Sequence, residues 1–260
     1  MEKNQNKVVS EIIQRFLITG RKGIALLVDP DKQSSVKNLH LLCKREGLPL
    51  PDLLLIGGSF ISKGGVSDTV EELSEYFPII PKVLFPGNAM QLSEKADAIL
   101  FLSLISGRNP DLLIGQHVLT APQLSRSELE VLPTGYLMIE GGKLTSAHYV
   151  SQSMPIPRDK PDLALATAMA GKLLGLRYFY LEAGSGASHP VPAEMITLLK
   201  KELNAPVIVG GGINSLPKAK EACRAGADLI VIGNEAEKNP DLIVEVLQYL
   251  RVYNLSLNIN

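Results

Sequence analysis

Eight short apolar runs recur along the chain, each ending on or followed by Gly, Pro, Asp or Ser. They are IALLVD (24–29), DLLLIGG (52–58), PKVLFPG (81–87), AILFLSL (98–104), TGYLMIE (134–140), RYFYLEAG (177–184), PVIVGGG (206–212) and DLIVIGN (228–234). Their apolar character is continuous rather than alternating, which reads as strands buried on both faces, the mark of parallel strands covered by helices. Amphipathic spacing between the runs predicts helices over 33–47, 66–77, 90–96, 162–174, 192–203, 216–225 and 240–253. The stretch 141–161 is polar and punctuated by proline, so it predicts a long loop without a helix; such loops serve as lids or binding loops. Eight strand signals in 260 residues predict an α/β fold, a parallel eight-stranded (β/α)8 TIM barrel spanning 1–260 as a single domain. A doubly wound open sheet is the competing architecture.

Composition narrows the setting. With 26 Lys plus Arg against 27 Asp plus Glu, the net charge of -1 gives no electrostatic pull toward nucleic acid. The two cysteines, Cys43 and Cys223, lie far apart with no C-x-x-C, which fits a reduced, cytoplasmic protein without structural zinc. The N-terminal stretch is polar and amphipathic, and no apolar run approaches the roughly 18–20 residues of a membrane span.

In a parallel barrel, chemistry gathers where the strands end. The last three runs end in glycine-rich loops: Glu182-Ala183-Gly184-Ser185-Gly186, Gly210-Gly211-Gly212 and Gly233-Asn234. Glycine lets backbone N–H groups approach an anion, and a following helix N-terminus adds its positive dipole end. One such loop is an ordinary tight turn; three on neighbouring strands point to a phosphate cup. Asp29 ends the first run, where it either caps the next helix or holds a hard cation. Ser59 follows the Gly57-Gly58 pair on the adjacent strand and adds a hydroxyl oxygen, enough for a magnesium ion that takes its other ligands from a diphosphate and water.

Glu182 precedes the first glycine loop, with Tyr180 two residues earlier on the same strand face. It is placed to take or orient a hydroxyl proton beside a bound phosphate. Its alternative role is to pair with a cation such as Arg108 or Lys143. Arg108, Asn109, Arg158 and Lys160 are secondary candidates for a diphosphate. His40, His117 and His189 lack a Ser or Cys partner at catalytic spacing, and His148 lies in the long loop. No run ends in lysine, which argues against Schiff-base chemistry. Phe60, Ile61, Phe85, Pro86, Leu102 and Leu104 lie near strand ends and serve either an apolar groove or the core.

Taken in order, LLVDPDK (26–32), LIGGS (55–59), VLFPGN (83–88), SAHYVSQSMPIP (146–157), YLEAGSGA (180–187), VGGGI (209–213) and VIGN (231–234) resemble the geranylgeranylglyceryl phosphate synthase family, which includes the PcrB-like prenyltransferases. The resemblance implies a barrel prenyltransferase that joins sn-glycerol 1-phosphate to a polyprenyl diphosphate in ether-lipid biosynthesis. Geranylgeranyl is the first expectation for the tail and heptaprenyl the second. It also implies Asp29 and Ser59 as Mg2+ ligands. Tyr180, Leu181, Glu182, Ala183, Gly184, Ser185, Gly186, Gly211, Gly212, Gly233 and Asn234 are then the glycerol-phosphate site. Some members carry lysine two residues before the metal-binding aspartate, where this chain has Leu27. A greasy product implies transient peripheral membrane contact, and barrels of this kind commonly pair, so a homo-oligomer is expected. Two rival functions share the phosphate cup: a phosphosugar isomerase or epimerase, and a non-catalytic phosphate sensor.

Overall fold

A computed structural model describes residues 7–32, 34–44, 47–233 and 239–257. Each apolar run forms a strand: β1 (Gly23–Val28), β2 (Leu53–Ile56), β3 (Lys82–Leu84), β4 (Ala98–Leu104), β5 (Glu130–Met138), β6 (Tyr178–Glu182), β7 (Val207–Gly210) and β8 (Leu229–Ile232). Every strand runs parallel to the next, and β8 returns to β1 through the pairs Gly23↔Leu229 to Leu26↔Ile232. The sheet is therefore a closed barrel and not an open doubly wound sheet.

The helices are α1 (Val8–Thr19), α2 (Ser34–Cys43), α3 (Val66–Tyr76), α4 (Gln116–Leu124), α5 (Ser146–Ser151), α6 (Pro161–Leu173), α7 (Ala193–Leu203), α8 (Leu216–Ala225) and α9 (Pro240–Ser256). A π-helical turn, Asp111–Gly115, leads into α4. Successive side chains along the strands alternate between two buried layers. Leu26, Val28, Leu54, Ile56, Phe179, Leu181, Val207 and Val209 face the helices. Ala25, Leu53, Leu55, Tyr178, Tyr180, Ile208 and Val231 fill the barrel interior. This period of two decides which residue beyond each strand end faces the mouth.

One mouth is closed. From α1, Val9, Ile13 and Phe16 enter the interior cluster. The carboxylate of Glu130, at the start of β5, accepts the Val9 and Ser10 N–H groups at 2.8 and 3.0 Å and so satisfies the first turn of α1. Closing the end where strands begin leaves the end where they finish open for chemistry.

Three sequence expectations are corrected. Residues 90–96 form turns rather than a helix. The segment 141–161 holds a helix after all: Thr145 and His148 form a reciprocal capping box that starts α5. The fifth strand begins at Glu130 rather than Thr134, because Pro133 and the acidic Glu130 hide its start.

Candidate active site

The alternation along β6 puts Tyr180 and Glu182 on the inner face and Leu181 on the outer. Glu182 is only 8% exposed, and its Oε1 accepts the Gly184 N–H at 2.7 Å. Burial pushes its carboxyl up to about 7, against the opposing pull of the Gly184 N–H and the nearby Tyr180 hydroxyl. Among the described residues no cation pairs with it. Arg108 donates instead to the Gly107 carbonyl at 2.7 Å, so the ion-pair alternative for Glu182 falls away. The Tyr180 hydroxyl is buried without a partner in full hydrogen-bonding geometry, and burial followed by the Glu182 charge raises its pKa well above the usual range. A side chain on Gly210 would run into both the Tyr180 hydroxyl and Glu182 Oε2, so the bare Gly210 backbone makes room for this pair.

The glycine loops converge beside Glu182. Gly211 adopts a φ of +79°, which a side chain tolerates poorly, and a Cβ there would collide with Glu182 Oε1 and the Gly184 nitrogen. Among the described residues the N–H groups of Gly186, Gly211 and Gly212 donate to no carbonyl, which leaves them for a ligand. Two predicted positions enter differently from the rest. Leu181 and Ala183 bury their side chains outward, and the Ala183 N–H already donates to the Gly210 carbonyl at 3.1 Å. Gly233 sits at the rim, where a methyl group would lie 3.4 Å from the Leu27 side chain. Asn234 lies outside the described residues.

On the opposite side of the mouth, Asp29 packs against the β2 loop: a methyl on Gly58 would lie 3.7 Å from Asp29 Oδ1, and Ser59 follows directly. Asp29 Oδ1 accepts the Asp31 N–H at 3.1 Å, and Lys32 Nζ stands 3.9 Å from Oδ2. Two hard oxygen donors on adjacent loops are the sparse protein contribution that magnesium uses. Asp31 has a separate, structural role. It accepts N–H bonds from Gly64, Lys63 and Ser62 at 2.7, 2.8 and 2.8 Å, which hold its carboxyl well below the usual range and pin the loop above β2.

An open, mostly apolar cleft runs from this mouth outward over β3 and β4 to α4 and α5. Phe85, Pro86, Leu102 and Leu104 line it as expected, while Phe60 and Ile61 do not. Tyr136 joins the wall, and its ring lies 5.3 Å from that of Tyr180, which in turn stacks on Phe85 at 5.1 Å. Phe85 and Tyr136 thus line the cleft on one side and pack on Tyr180, beside Glu182 and the glycine cup, on the other. Sequence reasoning missed Tyr136; the only signal was its place on a β run, two residues before Met138. It also missed Gln91, whose Nε2 donates to the Gly58 carbonyl at 2.9 Å while Oε1 accepts the Gly87 N–H at 3.0 Å. Gln91 thereby ties the β2 and β3 loops together.

The secondary cations are engaged elsewhere: Lys160 with Asp159 at 3.9 Å, and Arg158 with the Glu140 carbonyl at 3.2 Å. Asn109 donates to the Ser151 carbonyl at 3.2 Å and braces α5. His40 packs on Tyr76, and His117 packs edge-on against Phe101. Both cysteines are free, and burial pushes their thiols up to about 11 and about 12, so neither is a nucleophile near neutral pH.

The model of the PcrB family matches residues 18–250. The chain belongs to the PcrB family. It is 47% identical over 246 residues to the geranylgeranylglyceryl phosphate synthase of Spirosoma linguale, covering 95% of this chain and 98% of that one. The enzyme of the same name from Chitinophaga pinensis is 45% identical over 241 residues, 93% and 94% of the two chains. Among solved structures, the PcrB-family barrel resembles (S)-3-O-geranylgeranylglyceryl phosphate synthase from Thermoplasma acidophilum in complex with substrate sn-glycerol-1-phosphate. That match has a TM-score of 0.84 at 29% identity and covers 94% of this chain and 98% of the other. Among the described residues no helix is long and apolar enough to cross a membrane.

Proposed function

We propose that this PcrB-family protein is a prenyltransferase that joins sn-glycerol 1-phosphate to geranylgeranyl diphosphate, giving the 3-O-geranylgeranyl ether and releasing diphosphate. The observation that carries the reading is an apolar cleft whose wall residues Phe85 and Tyr136 pack on Tyr180, next to the buried carboxylate of Glu182 and the glycine cup. The tail length rests on the names of the relatives. A phosphosugar isomerase would use the cup and Glu182, but it has no use for an apolar cleft lined by Phe85, Leu102 and Leu104.

In this reading the acceptor phosphate sits on the Gly186, Gly211 and Gly212 N–H groups, and its far hydroxyl points at Glu182. The cleft takes the prenyl tail and brings its first carbon to the same place. The hydroxyl oxygen forms a bond to that carbon as the bond to the diphosphate oxygen breaks, and the hydroxyl proton passes to Glu182. A carboxyl that titrates near 7 suits that transfer at neutral pH. The rings of Phe85 and Tyr136, which line the cleft, would favour the positive charge that develops on the allylic carbon. Asp29 and Ser59 would hold magnesium, which when bound would neutralise charge on the departing diphosphate. Gln91 keeps the loops that carry Ser59 and Phe85 in register.

The proposal extends to two surfaces. The exposed Leu163, Met169 and Leu173 on α6, with Leu174 at its C-terminal cap, support a homo-oligomer. Met90, Tyr149 and Val150, exposed beside the cleft, support transient contact of a cytoplasmic protein with a membrane surface.

The test is diphosphate release with magnesium, sn-glycerol 1-phosphate and prenyl diphosphates from geranyl to heptaprenyl. Release that peaks at geranylgeranyl and disappears with sn-glycerol 3-phosphate is expected. A peak at heptaprenyl would move the tail assignment, and no release with any donor would return the isomerase or sensor reading.

A further inference from the structure

Among the described residues, the floor of the acceptor cup holds backbone amides and a carboxylate but no cation. A phosphate monoester carries about 1.5 to 2 negative charges at neutral pH, so it would meet only partial positive charge there, next to Glu182. The loop after β5 packs against this cup. Its Gly141 carbonyl accepts the Ser188 N–H at 2.9 Å and the His189 N–H at 3.1 Å, which locks the loop onto the far side of the cup. The approach is close: a side chain on Gly141 would collide with the Ala183 carbonyl, and one on Gly142, at φ +86°, would meet the His189 ring at 2.8 Å. Lys143 follows at once. Its ammonium hangs over the cup, such that a methyl group on Gly186 would lie 3.6 Å from Nζ.

Lys143 takes part in none of the ion pairs present among the described residues. Four other cations among the described residues are committed: Lys32 stands beside Asp29, Arg108 and Arg158 donate to carbonyls, and Lys160 pairs with Asp159. On the opposite rim, where β1 approaches Gly233, the neighbouring side chain is the uncharged Leu27.

We propose that Lys143 is the cation of the acceptor-phosphate site, closing over the phosphate from above while the Gly186, Gly211 and Gly212 amides hold it from below. This rests on the prenyltransferase reading for the identity of the phosphate, but not for the binding of an anion. Lys143 is exposed, so its replacement removes no packing. Lys143→Met is expected to raise KM for sn-glycerol 1-phosphate about 10- to 100-fold, the size of one lost charge-assisted hydrogen bond. Its kcat stays within about twofold and KM for the prenyl diphosphate does not move, while Lys143→Arg keeps most of the affinity.

A second readout is independent of turnover. The rise in melting temperature of the wild-type protein with sn-glycerol 1-phosphate is expected to vanish in Lys143→Met. An unchanged acceptor KM in an active enzyme, or a rise confined to the donor, overturns the assignment of Lys143 alone. If the wild-type protein turns over no donor yet shows a thermal shift that depends on Lys143, the prenyltransferase reading fails and the anion site stands.

Discussion

Replacing Glu182 with glutamine is expected to lower kcat/KM for the acceptor by about 100-fold, toward the lower end of what general-base catalysis supplies. The lower end applies because an allylic carbon with developing positive charge needs only a modest base. Glutamine keeps the shape and can still accept the Gly184 N–H, so the loop is retained and the loss reports proton transfer. The wild-type rate should fall as pH drops through about 7, the value to which burial pushes this carboxyl, and the variant should lack that limb.

Stability is expected to move the other way. The folded protein favours the protonated carboxyl, so below the ordinary value of 4.5 both folded and unfolded states are protonated and nothing is lost. Between 4.5 and about 7 the unfolded state ionises first, and stability declines with rising pH. Glu182→Gln should therefore be more stable than the wild type at pH 8 by about 1–3 kcal/mol, and equal to it at pH 4. Denaturant titration at the two pH values measures this. Unchanged kinetics would remove Glu182 from the mechanism.

Asp29→Asn is expected to abolish the magnesium response and to lower turnover by about 100-fold or more, since charge stabilisation at a leaving diphosphate is a large part of the barrier. Asparagine retains an oxygen that can accept the Asp31 N–H, and Asp31 itself still pins the loop above β2. The fold and the affinity for sn-glycerol 1-phosphate should therefore persist, and the effect should appear in kcat and in the donor KM. A variant with full, magnesium-dependent activity would refute the metal assignment and return Asp29 to an ordinary turn-forming role.

The features legible in the sequence are those that neighbouring residues determine. The barrel strands were visible because both their faces are buried, and the cup was visible because Gly184, Gly186, Gly211 and Gly212 follow directly on strands. What escaped depends on long-range contact. Tyr136 meets Tyr180 only through the register of β5 on β6. Residues 90–96 have helical spacing, yet the Gln91 side chain is used to hold Gly58 and Gly87. The capping box of α5 has His148 where Glu or Gln is usual; the Thr145 N–H donates to His148 Nδ1 at 3.0 Å, an arrangement with no familiar sequence pattern.

The cleft was invisible for a different reason. Leu102 and Leu104 in its wall are the same residue type as Leu53 and Leu55 in the interior, so composition cannot separate groove from core. Pro122 inside α4 and Asn109-Pro110 before it broke the pattern of the helix that forms the outer wall. Lys143 was legible only as a loose cation; its place over Gly186 follows from the docking of Gly141 on the β6 loop.

The account depends on the glycine cup holding the acceptor with its hydroxyl at Glu182, and a crystal structure with sn-glycerol 1-phosphate bound measures that directly. The phosphate oxygens are expected about 2.7–3.2 Å from the Gly186, Gly211 and Gly212 nitrogens, with the terminal hydroxyl at similar range from the Glu182 carboxylate and open toward the apolar cleft. A phosphate bound away from these amides, or a terminal hydroxyl turned from Glu182, would contradict it.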